Sequence, residues 1–123
     1  MIIDHIRDLK EFWRFYNERP MDDGQYTFEH IINNPNLFCF YDEVTGILKA
    51  FIFITQDDKE RLFLSGAGAR KNMLDNINAI IKICEAFPCE MYSNTDKKEA
   101  KFILRKAGFK QIEQDLFVRL KNG

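Results

Sequence analysis

The run Gly66-Ala67-Gly68-Ala69-Arg70-Lys71 is the stretch of this sequence best suited to holding an anion. Glycines let a backbone approach a phosphate closely. The amides that open a helix are unpaired and lie at the positive end of its dipole. Arg70 and Lys71 follow at once and add two cations. A plain strand-to-helix connection of small residues satisfies the same sequence, so the anion cradle is one of two readings. Lys97, Lys101 and Arg105 recur at i, i+4 and i+8, with Lys98 and Lys106 beside them. Such a stripe suits an acidic partner or, more simply, solvent.

Other reactive residue types lead less far. Cys39, Cys84 and Cys89 are odd in number and lack paired short spacings, which points away from a disulfide framework or a zinc site. They read as small core hydrophobes. Histidine is the residue type suited to proton transfer at neutral pH, but neither His5 nor His30 belongs to a cluster with metal-ligand spacing. Phe12, Trp13, Phe15 and Tyr16 wrap more of one helix than a single buried face needs. They mark either a crowded core or an exposed surface, which would serve as an acceptor groove, a homodimer contact or a protein interface.

Elements must position these residues, and composition bounds what they can build. A chain of 123 residues is the size of one domain, spanning 1–123, and its 46% apolar content supports a core without disulfides or metal. Twelve Phe imply large aromatic volumes in that core. A formal net charge of −1 lacks the basic excess of a nucleic-acid binder, so no nucleic-acid partner is expected. The first residues form no basic-then-apolar leader, and no run is apolar enough to span a bilayer. The expectation is a reduced, cytoplasmic protein with no membrane partner.

Apolar spacing predicts a helix over 4–19, capped by Asp4 and stopped by Pro20, then a loop over 21–25 and a short helix over 27–33. The period then changes to that of strands: 37–41, 47–55 and 61–65, joined by polar turns, read as an antiparallel meander. The middle run is apolar almost throughout, so its sheet is expected to be covered on both faces. Met73, Leu74, Ile77, Ile80, Ile81, Cys84 and Phe87 make a helical stripe that Pro88 closes, with Asn72 and Asp75 at capping-box spacing. A strand over 89–93, a helix over 96–107 and a strand over 109–120 complete the chain. The fold class is therefore α/β (α+β), a mixed central sheet containing an antiparallel meander, with helices on both faces.

That order of elements, together with Asn94, Ala100, Ile103 and the pair Gly108-Phe109, resembles the GNAT superfamily of N-acetyltransferases. The resemblance covers about four-fifths of the chain, most closely residues 94–109. It implies a GNAT-like domain that uses acetyl-CoA, as co-substrate, for direct transfer to an amine acceptor, either a small molecule or a protein. The pantetheine arm would lie along the strand ending in Leu64 and Ser65, across a wedge from the strand ending near Asn94. The phosphates would rest near Arg70, Lys71, Asn72, Met73 and Leu74, and the stripe Lys97, Lys101 and Arg105, with Lys98 and Lys106, would suit the 3′-phosphate of CoA. Glu60 stands near the place of the family's base. Tyr92 is a substitute for its usual catalytic Tyr, whose position holds Leu104. Asp57 and Asp58 are further carboxylates able to take a proton. Met73 and Asp75 also stand where the family's phosphate loop carries small residues. These departures leave a catalytically inactive GNAT-like binding or assembly module as the alternative.

Overall fold

The computed structural model of the chain describes residues 1–18, 26–68 and 73–121. In chain order the elements are β1 (Ile2–Asp4), α1 (Leu9–Glu18), α2 (Phe28–Ile32), β2 (Leu37–Tyr41), β3 (Leu48–Gln56), β4 (Leu62–Gly68), α3 (Met73–Ala86), β5 (Met91–Asn94), α4 (Lys98–Lys106), β6 (Lys110–Gln111) and β7 (Leu116–Arg119). The seven strands form one sheet in the order β1-β2-β3-β4-β5-β7-β6. Only β4 and β5 run parallel; the other neighbours are antiparallel.

The apolar run of β3 divides between two cores because successive side chains point to opposite faces. Ala50, Ile52 and Ile54 join Leu64, Ala79, Ile83, Met91, Leu104 and Phe117 under α3 and α4. Phe51 and Phe53 join Phe12, Phe15, Ile31 and Cys39 under α1 and α2. Phe12 and Phe51 meet with ring centroids 5.1 Å apart. Helices thus cover both faces of a mixed sheet. Among the described residues, no helix is long and apolar enough to cross a membrane.

Local chemistry moves several expected boundaries. Residues 2–4 form an edge strand on β2 rather than the start of a helix. Asp4 does not cap that helix: its carboxylate accepts from the His5 amide and from Arg7 Nε, both at 2.8 Å. Asp8 caps α1 instead, accepting from the Lys10 amide at 2.9 Å. Thr27 caps α2 as its hydroxyl accepts from the His30 amide at 3.2 Å. The expected strand over 61–65 runs on to Gly68, so Gly66 and Gly68 are strand residues paired with Ile52 and Ala50, not loop residues.

Later in the chain, α4 starts at Lys98 rather than Asp96, because the Thr95 hydroxyl draws the Lys97 amide into a turn at 3.2 Å. The expected single strand over 109–120 is a hairpin, β6 to β7, turning over residues 112–115. On α3, Ala79, Ile83 and Cys84 form the buried line, while Leu74 is 67% exposed and so leaves the predicted apolar stripe. Residues 21–25, read as a loop, lie outside the described residues. So do Arg70, Lys71 and Asn72.

Candidate functional site

The parallel pair β4 and β5 is the irregular place in the sheet. Their register holds for Leu62↔Met91 and Phe63↔Tyr92 and then ends. Beyond that point β4 follows β3 as far as Gly68, while Ser93 and Asn94 of β5 pair with Phe117 and Leu116 of β7. The strands therefore diverge as a wedge. At its apex the Ser93 hydroxyl donates to the Leu64 carbonyl at 2.9 Å. Both residues are buried, so a carbonyl that has left the ladder keeps a donor where water is excluded.

The glycines explain how β4 takes this path. A Cβ at Gly66 would collide with the Phe51 carbonyl oxygen, and one at Gly68 would overlap the Asn76 side-chain amide. At Gly66 the clash is with backbone, which cannot swing aside. The absence of a side chain there also leaves space. A cavity of about 500 Å³ opens between Gly66 and Gly68 of β4, Met73 and Asn76 of α3, and Lys97, Lys98, Glu99, Ala100 and Ile103 of α4.

First-turn residues of both α3 and α4 line this space, so it lies beside the positive ends of two helices. The N-cap residue of α4, Lys97, is extended and does not itself cap the helix through its side chain; its amide donates to the Thr95 hydroxyl. Lys97 and Lys98 add positive charge at the rim. Glu99 on the same lining and Asp75 in the first turn of α3 oppose it. The chemistry offered is a small apolar wall, a row of amides and paired lysines, suited to an elongated ligand with an anionic end. Among the described residues no group of His, Cys, Asp and Glu is arranged to hold a metal ion.

The residues expected from sequence fall into separate groups. Leu64 lies at the apex of the wedge, buried in the α3/α4 core. Ser65, paired with Phe53, alternates to the opposite face. Met73 lines the cavity, whereas the exposed Leu74 does not contribute to its lining. Asn94 ends β5 and is exposed.

Glu60 stands in the turn before β4 with φ 63°, six residues from Gly66 and hence about 20 Å away along an extended chain. Tyr92 lies on the α1/α2 face of the sheet, since it alternates with the core residues Met91 and Ser93. Its hydroxyl donates to Glu90 Oε2 at 3.2 Å. Burial, with the Glu90 charge second, raises its pKa. The Arg61 guanidinium sits 5.1 Å from the Tyr92 ring centroid and 5.3 Å from that of Phe63. Glu60 and Tyr92 thus share the end of the strand pair remote from the cavity.

The basic stripe on α4 is largely structural. Lys101 Nζ donates to the Gln114 carbonyl at 2.8 Å and to Asp115 Oδ1 at 2.9 Å. Arg105 donates to Gln111 Oε1 at 2.8 Å. Only its first members, Lys97 and Lys98, reach the cavity. Sequence reasoning missed Asn76 and Glu99 as site residues, and it gave Ser93 no part beyond its place in the wedge strand; Lys98 it named only beside the basic stripe. One signal was readable: Gly66 and Gly68 are two apart, the period of a strand, and so open one face of it. Leu104 is buried in the core.

Comparison of the chain with models of protein families, with curated proteins and with solved structures finds no match.

Proposed function

We propose that the chain is a GNAT-like domain that binds acetyl-CoA or a related acyl-CoA in the wedge and passes the acyl group to an amine. The observation that carries this reading is the end of the parallel β4–β5 ladder after two residue pairs, beside a cavity where two helix N-termini meet. An extended pantetheine arm needs an open strand edge for its amides, and β4 offers one from Ser65 onward on its β5 side. The anionic end of the ligand needs amides and cations, which the start of α4 supplies with Lys97 and Lys98. Transfer proceeds by attack of the amine nitrogen on the thioester carbonyl. The amine gives up a proton, and CoA leaves as the thiolate or thiol. Neither Glu60 nor Tyr92 lines the cavity, but Tyr92, paired with Phe63, stands one register step from the Leu64–Ser93 apex and is the nearer of the two.

A second reading keeps the ligand and drops the reaction. Leu104 is packed into the core and has no proton to give, and the Tyr92 hydroxyl is engaged by Glu90 on the other face. A calorimetric titration with acetyl-CoA, with CoA and desulfo-CoA beside it, tests the binding that both readings share. Saturable micromolar binding, weakened at least about tenfold by the double change Lys97→Glu and Lys98→Glu, is the expected result. No heat at millimolar ligand removes acyl-CoA from the account. An amine screen with Tyr92→Phe then separates transfer from binding alone.

A further inference from the structure

At the apex of the wedge, a buried hydroxyl takes over where a backbone ladder stops. The last paired residues are Phe63 and Tyr92, and one step further on each strand stand Leu64 and Ser93. The Ser93 hydroxyl holds these two strands together through the Leu64 carbonyl at 2.9 Å. Ser93 is 6% exposed and Leu64 4%. Beneath them Met91, Leu104 and Phe117 belong to the same packed cluster, at 1%, 4% and 0% exposure. Gly66 lines the cavity, whereas Leu64, two residues or about 7 Å back along the strand, does not.

The geometry points to Ser93 as the residue that closes the acyl end of the wedge and restricts its ligand to short acyl groups. This rests on the acyl-CoA reading given above. A chain entering past Gly66 with its thioester between the strands meets the Leu64–Ser93 pair as a floor. Going deeper requires the strands to part. Parting them breaks the Ser93–Leu64 bond and strands a buried carbonyl. It also displaces the close-packed Met91, Leu104 and Phe117 side chains of the same core. Apolar length alone would favour a longer chain, because each added methylene leaves water on binding. A preference for the shorter ligand therefore reports a closed floor and not general stickiness.

The test is calorimetric titration of the wild-type chain, Ser93→Ala and Ser93→Thr with CoA, acetyl-CoA, propionyl-CoA and octanoyl-CoA. The wild type binds octanoyl-CoA at least about tenfold more weakly than acetyl-CoA, with propionyl-CoA near acetyl-CoA. Ser93→Ala removes the cross-strand bond and narrows that ratio by about fivefold, and Ser93→Thr, which keeps the hydroxyl, retains it. Equal wild-type affinity for all the thioesters overturns the closed floor without needing any variant. A ratio unchanged in Ser93→Ala overturns the assignment to Ser93. If CoA and all its thioesters fail to bind, the acyl-CoA reading itself falls, and this inference with it. Binding of CoA without discrimination of length removes only the inference.

Discussion

Glu60 is held in the left-handed region, at φ 63°, by the turn it completes. Its amide donates to the Asp57 carbonyl at 3.1 Å, and the Asp57 amide donates to the Arg61 carbonyl at 3.1 Å, closing a three-residue loop. Such loops place their last residue at positive φ, where glycine sits without strain. The Asp57 carboxylate finishes the turn by accepting from the Lys59 and Arg61 amides and from Arg61 Nε. Burial alone would raise the Asp57 pKa, but the Arg61 amide and guanidinium hold it below its ordinary value. The strain at Glu60 is thus accounted for by turn geometry. Glu60→Gly should raise stability by about 1 kcal/mol, read from the urea midpoint, whereas Glu60→Ala should give no such gain. A drop in stability with Gly would mean that the Glu60 side chain contributes more than its backbone costs. Nothing in the residue type at position 60 announced this, because positive φ belongs to the hairpin and not to glutamate.

At the scale of elements, α4 is tied to the β6–β7 hairpin through polar groups. Lys101 reaches the Gln114 carbonyl and Asp115, Arg105 reaches Gln111, and Arg119 Nε donates to the Ala107 carbonyl at 3.0 Å. The Lys101 side chain is 17% exposed and that of Asp115 48%, so solvent screens the ion pair and the carbonyl bond matters more. Lys101→Met should therefore cost about 1 kcal/mol, and Asp115→Asn less than half of that, by denaturant unfolding. Equal costs would put the weight on the ion pair. The hairpin shows where sequence reading reached its limit. Residues 109–120 carry a strand-like pattern throughout, and the turn at Ile112-Glu113-Gln114-Asp115 contains neither Gly nor Pro to mark it. Strand β1 was hidden for a related reason: three residues are too short for a period, and its pairing with Cys39, Phe40 and Tyr41 is long-range. By contrast β2, β3, α2 and α3 were legible because apolar spacing alone sets their buried faces. Of the candidate site, Met73 was legible, and the glycines were singled out but as loop rather than strand residues. Ser93 was not legible, since its role exists only where two strands part.

Across the whole molecule, the central sheet separates two cores, and each contains one buried thiol. Cys39 lies in the α1/α2 core with Tyr41, and Cys84 in the α3/α4 core. Tyr41 also anchors the chain start, accepting from the Arg7 amide at 3.0 Å and donating to the His5 carbonyl at 3.2 Å. Burial pushes Cys39 up from 9.0 to about 12 and Cys84 from 9.0 to about 11. Both folded values lie above the unfolded one, so the folded state binds these protons more tightly. Their contribution is complete below about pH 9 and is lost as pH rises toward the folded values, because only the unfolded thiols ionise in that window. By pH 10 each thiol should have removed about 1.4 kcal/mol of stability relative to pH 8. Cys39→Ala and Cys84→Ala each lower stability at pH 8 by leaving a small void, but that cost does not change with pH. The informative quantity is the difference between unfolding free energies at pH 8 and pH 10. It should shrink by about 1.4 kcal/mol in either variant and by about twice that in the double variant, since the thiols lie in separate cores. If one variant falls in parallel with the wild type, the core holding that thiol admits water or opens before the chain unfolds. Unequal behaviour of the two variants would show that the two faces of the sheet do not share one unfolding transition.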